Sequence, residues 1–577
     1  MLFMLCGAPG VAGVALMPTP TGKTTRAERL AQPLAREVAE QVAADHGVCI
    51  RPVSLRRTDI GTGQTLVIDV PCGSTLESRC PACAKRKRSL RRTQCEEGWH
   101  LATEPVVEPD PPTQQQQGWV EQRAMVTAER DRLAATGAAE PEQLAALDAA
   151  IAGLDEEITA SRLRGSVTRS ISSGSGPRRV RSTKRRQDVP DLPKRPMTRK
   201  TVGRAFTDPA SGKVFRPSLF LTLTLDSYGR VRSDGTPVDF STYDYRRAAR
   251  DTLHFSKLID RFVQNLRRVA GFDVQYFASV EPQRRLAPHL HMATRGTLPR
   301  SELRQIAAAT YHQVWWPPAD TVVYEGEHLP VWDAAAGTYL DPTTGEVLPT
   351  WDEALDEIDA DPDAEPFHVV RFGKQVDAKG VVAGTEDAAR CVRYLAKYLT
   401  KDIADCHAAE TVRQEQHVDR LMETLRYEPC SPRCSNWLRY GIQPQEAKAG
   451  QRPGFCRSKA HRREHLGYAG RRVLVSRKWS GKTLADHKAD RLAWVLDALG
   501  VDPTNEDQGD NTHPRSPVLT SVNSGDFAWE LARPTDPDVA PREQRLLRAV
   551  GEALKRRTQL HAARTPEHSA TTEQEAA

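Results

Sequence analysis

His289 and His291, one residue apart in the run RRLAPHLHMATRG, are the residues of this 577-residue chain whose type and spacing point most directly to chemistry. In a β-strand, side chains two apart share a face, so both imidazoles can meet one cation while Leu290 and Met292 turn to the other side. Glu281 closes the preceding strand-like run VQYFASVE, and PQRRLAP has the composition of a turn, so a hairpin would set a carboxylate beside the two imidazoles. Two imidazoles and one oxygen ligand with open positions describe a catalytic cation site able to grip a phosphate, whereas structural zinc sites are closed. With 16 histidines in 577 positions chance supplies roughly 0.4 such triplets, and surface histidines with a turn-capping glutamate compete for the triplet taken alone.

A second group follows in RYLAKYLTK. Tyr394 and Tyr398 are four apart on an expected helix and therefore share a face, and Lys397 and Lys401 repeat that spacing. A phenol is a poor nucleophile near neutral pH, because its pKa is about 10, so a tyrosine that attacks phosphorus needs a neighbouring cation or base. Two core-facing aromatics with lysines reaching past them to water are the alternative. The run FLTLTLDS alternates strictly, which puts Leu221, Leu223 and Leu225 on a core face and Thr222, Thr224 and Asp226 on the opposite one.

Cysteine supplies a third group. Cys72, Cys80, Cys83 and Cys95 contain one tight Cys-x2-Cys knuckle with flanking thiols, a pattern suited to tetrahedral structural zinc, with His100 in reserve. Lys85, Arg86, Lys87, Arg88, Arg91 and Arg92 give this segment a basic face fit for DNA binding or docking. Cys430, Cys434, Cys456 and His461 could form a second site, with His465 competing for the last position. Free buried thiols are the other reading of both groups. An odd total of eleven cysteines, mostly gathered in these groups, points to metal binding in a reducing cytoplasm rather than to disulfides. Gly22-Lys23-Thr24 imitates the end of a phosphate-binding loop, but Met17 stands where the first glycine belongs.

The elements that must position these groups read as α+β. Strands are expected at 218–226, 274–281, 289–295 and 367–373, and helices at 241–269, 300–315 and 387–402, an antiparallel sheet covered by helices. Around that domain, at 214–410 with an acidic insertion about 318–365, the chain divides into an N-terminal segment (1–45), a zinc module (46–105), a helical hairpin (106–165), a basic linker (166–213), a Cys/His module (411–500) and a mostly disordered tail (501–577) relieved by a short basic helix near 541–558. Within the linker, Pro177 to Arg204 carries eleven Lys/Arg against Asp188 and Asp191, a density suited to phosphate contacts through Arg178, Arg179, Arg181, Lys184, Arg185 and Arg186, or to a solvated spacer. Residues 351–365 hold eight carboxylates and no base, an exposed surface that DNA would avoid. The formal charge of +6, with 27% charged and 39% hydrophobic residues, is that of a soluble protein. The apolar opening Met1–Met17 is broken by Gly7, Pro9, Gly10 and Gly13 and lacks a basic start, so neither a membrane span nor a signal peptide is expected; Met17 as the true first residue explains it more economically.

Taken in order, a Leu-Thr-Leu-Thr strand, a Pro-His-hydrophobic-His triplet and a paired Tyr-x-x-Lys helix resemble the HUH superfamily of rolling-circle replication initiators and relaxases. The doubled Tyr-x-x-Lys is similar to the two-tyrosine branch that includes the gene A proteins of isometric phages. Glu281-Pro-Gln-Arg and Trp437-Leu-Arg-Tyr-Gly look like the replication initiators of actinobacterial plasmids and integrative elements. The resemblance spans roughly residues 46–105 and 215–500. It implies a ferredoxin-like antiparallel sheet with helices on one face, with His289, His291 and Glu281 holding Mg²⁺ or Mn²⁺ on single-stranded or duplex origin DNA. Tyr394 or Tyr398 would form a 5′-phosphotyrosine and free a 3′-OH, with Lys397 and Lys401 stabilising charge and a host helicase and polymerase as partners. A conjugative relaxase or single-strand transposase would use the same residues, and a non-catalytic zinc-containing DNA-binding regulator would use them only structurally.

Overall fold

The computed structural model describes residues 33–99, 101, 104–105, 113–136, 141–160, 185–201, 205–207, 209–210, 212, 214–382, 385–397, 409–498 and 527–564. These form two compact units, one of Leu90–Lys488 and one of the residues up to Ser89 together with those from Ala489.

The larger unit is built on a five-stranded antiparallel sheet. Its labelled elements are β1 (Pro217–Thr224), α1 (Tyr245–Ala270), β2 (Tyr276–Pro282), β3 (Pro288–Arg295), α2 (Arg300–Ala309), β4 (Val376–Val382), α3 (Glu386–Lys397), α4 (Val412–Tyr427) and β5 (Val473–Val475). The strand order is β4-β1-β3-β2-β5, so the strand carrying both histidines is central. Alternation assigns the two faces. Leu221, Leu223, Leu290 and Met292 are buried on one side against Leu258, Phe262 and Leu266 of α1 and Leu421 and Leu425 of α4. Each such leucine contributes about 1.5–3 kcal/mol by leaving water. The 26-residue α1 starts at Asp244, whose side chain accepts from the Arg247 N–H, and stops at Gly271 in the left-handed region (φ 71°), where a side chain would be strained.

Phe277, Ala293 and Val381 point to the opposite face, where Ala388, Cys391, Val392 and Leu395 of α3 cover them, so helices lie on both faces of the sheet and not on one as expected, because the sheet is apolar on both sides here. The spacing i, i+3, i+4, i+7 makes this the apolar stripe of α3, and Tyr394 stands at its margin, 38% exposed. Strand β4, absent from the sequence expectation, pairs with β1, and the expected helix 300–315 ends at Ala309 and gives way to a strand at Tyr311–Val314.

The acidic segment and the Cys/His segment pack together in the same unit. Trp351, at the start of the acidic helix Trp351–Ala360, is buried with Trp437, Tyr440 and Cys434, and Trp316, Phe367, Cys430 and Cys456 pack against them. Thr350 and Glu353 form a reciprocal capping box, while Asp352, Asp356 and Glu357 remain exposed. The expected acidic surface is therefore present on a helix anchored by one tryptophan. The expected hairpin is also present: helices Gln114–Thr136 and Pro141–Ala160 are joined by the ion pairs Arg123–Asp155 and Arg130–Asp148.

In the smaller unit, strands Val53–Asp59, Thr65–Val70 and Phe527–Leu531 form a sheet, and helix Pro33–Asp45 packs on helix Arg542–Arg564 through Ala39, Ala43, Leu546 and Val550. The tail, expected to be mostly disordered apart from a short basic helix near 541–558, supplies that helix, Arg542–Arg564, and also a strand to this unit. Residues 501–526 and 565–577 lie outside the described residues, as do the opening Met1–Met17 and the Gly22–Thr24 run.

Candidate active site and metal-ligand clusters

The β2–β3 hairpin sets the candidate site. Its register places Glu281 opposite His289 and Ser279 opposite His291, and β1 places Thr222 opposite His291 and Thr224 opposite His289. The turn is clamped at several points. Gln283 N–H donates to Ala287 O at 2.8 Å, Arg285 Nε donates to Gln283 Oε1 at 2.8 Å, and the Tyr243 hydroxyl donates to Arg285 O. Leu286 adopts φ 61°, an unfavourable conformation for a branched side chain, and is held there by burial in the core.

Glu281, His289 and His291 bring one ligand atom each within 4.8 Å of one another. His291 Nε2 lies 2.7 Å from Glu281 Oε1, and Nδ1 lies 3.1 Å from Thr222 Oγ1. A proton on Nδ1 donated to Thr222 leaves the Nε2 lone pair for a cation, the usual way an outer hydrogen bond fixes a ligating tautomer. His289 stacks edge-on against His291 with centroids 4.2 Å apart, and Gln283 Nε2 approaches its Nδ1 at 3.3 Å. Burial, with smaller contributions from His291 and Arg285, pushes the His289 pKa down to about 3, which holds the imidazole in its neutral, metal-binding form. The buried Ser279 hydroxyl, opposite His291, has no hydrogen-bond partner among the described residues. A donor set of two imidazoles and one carboxylate, with polar atoms around it, fits a divalent cation with open positions.

Helix α3 brings the nucleophile candidate to this cluster. The Tyr394 hydroxyl lies 3.1 Å from His291 Nε2, with ring centroids 4.8 Å apart at 87°. Phe220 of β1 completes the wall, stacked on His291 at 5.8 Å and edge-on to Tyr394 at 6.1 Å. Thr222 was legible as a residue on this face, but neither its bond to His291 nor the Phe220 wall was. Tyr398 and Lys401 lie outside the described residues, and Lys397 is the last described residue of α3.

Of the six basic residues proposed for DNA contact, Arg178, Arg179, Arg181 and Lys184 lie outside the described residues. Arg185 pairs with Asp191, and Arg186 pairs with Asp188 at 3.0 Å, so these two cations are already engaged within the chain.

Two further clusters could hold a metal ion. Cys430, Cys434, Cys456 and His461 come together as expected, with Cys430 and Cys456 sulfurs 3.9 Å apart and Cys434 Sγ 3.6 Å from His461 Nε2. His461 Nδ1 lies 2.6 Å from Leu425 O, which leaves Nε2 for a metal, and hydrogen bonds from Cys430 and Cys434 hold the Cys456 thiol well below its ordinary pKa. The other cluster differs from expectation in one member. It consists of Cys49, Cys72, Cys80 and Cys83, with the pairs Cys72–Cys83 and Cys49–Cys80 each at 3.8 Å. Tetrahedral zinc with bonds of about 2.3 Å requires sulfurs roughly 3.8 Å apart, so the spacing suits the ion and is far too long for a disulfide. Cys95 is not a member. It sits on the same helix, Pro81–Trp99, as Cys83 but 12 residues on, about 18 Å of helical rise, and is buried beside Trp99 and Trp479. His100 lies outside the described residues.

A family model described as replication initiator protein, pSAM2 (RepSA), matches residues 35–552. The chain belongs to this family of replication initiators. The match reaches into both units and takes in all three clusters, so the candidate ligand residues lie within the matched span. No curated protein and no solved structure matches the chain. A plasmid replication initiator acts on DNA, and no described helix of this one is long and apolar enough to cross a membrane.

Proposed function

We propose that this initiator is an HUH-type nickase that opens one strand of its origin by tyrosine attack. The observation that carries the reading is the Tyr394 hydroxyl 3.1 Å from His291 Nε2, on the ligand cluster itself. A central His-x-His strand in an antiparallel sheet, with the tyrosine helix on the same face, agrees with the ferredoxin-like palm of that superfamily. Mg²⁺ or Mn²⁺ held by Glu281, His289 and His291 would supply Lewis acidity to the scissile phosphate. Tyr394 Oη attacks phosphorus and its proton passes to solvent; the new P–Oη bond forms as the P–O3′ bond breaks, and O3′ leaves as a hydroxyl after taking a proton from solvent. One phosphoester replaces another, so the 5′-phosphotyrosine can be reversed without ATP. Tyr398, four residues on in the sequence, would make the second cleavage, and Lys397 and Lys401 would stabilise phenolate charge.

In this scheme the endonuclease occupies residues 214–410, and the two cysteine clusters hold structural zinc. The 46–105 module and the basic run around Arg178, Arg179, Arg181 and Lys184 dock on origin DNA, and a host helicase and polymerase use the opened strand. End-labelled single-stranded origin oligonucleotides with Mn²⁺ test the scheme. The 5′ fragment should be released with a 3′-OH that a polymerase extends, and the 3′ fragment should stay attached to protein. Two free fragments, one ending in a 5′-phosphate, would indicate attack by water and overturn it.

A further inference from the structure

We infer that Arg300 and Arg304 at the head of α2 bind backbone phosphates of the single strand next to the scissile bond, an inference that rests on the nickase reading and names how its substrate is held. A cavity of about 230 Å³ lies over the β1–β4 pair and is lined by Phe220, Thr222, Asp377, Lys379, Arg300 and Arg304, among others. Two of these residues belong to the active site as well. Thr222 touches His291 Nδ1, and Phe220 stacks on the His291 ring, so the cavity and the ligand cluster share a wall. Asp377 and Lys379 lie directly across from Thr222 and Phe220 in the register, which continues that wall to the edge of the sheet.

Charge distinguishes this cavity. Three cations line it against the single carboxylate of Asp377, and Lys379 is partly neutralised by Asp387 at 3.0 Å. Arg300 and Arg304 are exposed, and among the described residues neither forms an ion pair. Their position is unfavourable for the helix taken alone: α2 begins at Pro299 without a side-chain cap, arginine in the opening turns opposes the helix dipole, and the one first-turn carboxylate, Glu302, is engaged by Arg195 at 2.8 Å. An anion seated against those turns removes the conflict, since it meets both guanidinium groups and the positive end of the helix. An aromatic ring beside free cations is the combination that holds single-stranded DNA, by base stacking and phosphate contact together.

The test compares wild type with the double variant Arg300→Ala/Arg304→Ala in the full chain, with Arg132→Ala on the helical hairpin as a control for loss of surface charge. Binding of a single-stranded origin oligonucleotide is measured across a salt series by fluorescence anisotropy, and cleavage by initial rates. Removing two phosphate contacts should lower the slope of log affinity against log salt by about 1.4 and weaken binding roughly tenfold, while Arg132→Ala leaves both unchanged. KM should rise with kcat retained. An unchanged slope and affinity in the double variant would overturn the inference. Wild-type protein that binds the strand with this salt response but never cuts it would refute the nickase reading and leave the phosphate contacts standing. A charge-keeping variant, Arg300→Lys/Arg304→Lys, should restore the slope and so separates phosphate binding from damage to the helix.

Discussion

His289 shows how position in the fold holds a titratable side chain in the neutral form that metal binding requires. Its pKa is pushed down to about 3 and that of His312 to about 4, with burial the first cause in each case, and burial likewise drives His254 well below the ordinary histidine value. In the unfolded chain each would titrate near 6.5. As pH falls below 6.5 the unfolded state takes up these protons and the folded state does not. Stability is therefore full above that value and declines through pH 4 toward pH 3, by at most about 1.4 kcal/mol per pH unit for each such histidine. Metal-free protein should show a falling urea midpoint between pH 6.5 and 4.5, with a shallower decline in His312→Gln; a flat profile over that window would contradict the assignment. The ring signals of His289 should likewise stay unshifted between pH 8 and 5 by NMR. The His-x-His pair and Glu281 were legible because period-two alternation and a turn of proline and basic residues are local signals. Thr222 and Phe220 were visible only as members of a strand, since their contacts with His291 arise from pairing across β1 and β3.

Among the elements, the helix Pro81–Trp99 carries the clearest lesson. Cys72, Cys80, Cys83 and Cys95 fit a zinc pattern when counted along the chain, yet a single helix separates the last two by more than three turns. Cys49 is 23 residues before Cys72 and carries no knuckle signature, and the close approach of the Cys72 N–H to Cys49 Sγ at 3.3 Å is a tertiary fact. The proposal of two structural zinc ions predicts a zinc content of two per chain, falling to one in Cys49→Ser and staying at two in Cys95→Ser. The reverse pattern, measured by metal analysis after dialysis, would restore Cys95 as the ligand. Strand β4 escaped notice for a different reason. Its sequence VDAKGVV mixes glycine and lysine with valine, as suits an edge strand that must not recruit another sheet, and so lacks the alternation that revealed β1 and β3.

At the scale of the whole molecule, the family match over residues 35–552 corresponds to two folded units rather than to a core with tails. The smaller unit is assembled from both ends of the chain, with Leu546 and Val550 buried against Ala39, Ala43 and Val48. The basic helix near 541–558 was legible in the sequence, but Pro, Asp and Asn content hid the strand Phe527–Leu531, and local composition does not report the partner helix that Arg542–Arg564 meets. Leu546→Ala should cost about 2–5 kcal/mol in this unit. A separate low-temperature unfolding step should appear in calorimetry, and an unaltered trace would remove the helix from its core. The larger unit places the histidine strand, Glu281 and Tyr394 on one sheet face. The most direct measurement incubates the full chain with Mn²⁺ and single-stranded origin DNA and identifies by peptide mass the residue that carries nucleotide. The account predicts a first adduct on Tyr394 that disappears with EDTA, with His291→Ala and with Tyr394→Phe; an adduct on neither Tyr394 nor Tyr398, or origin DNA bound tightly but never joined to protein, would contradict it.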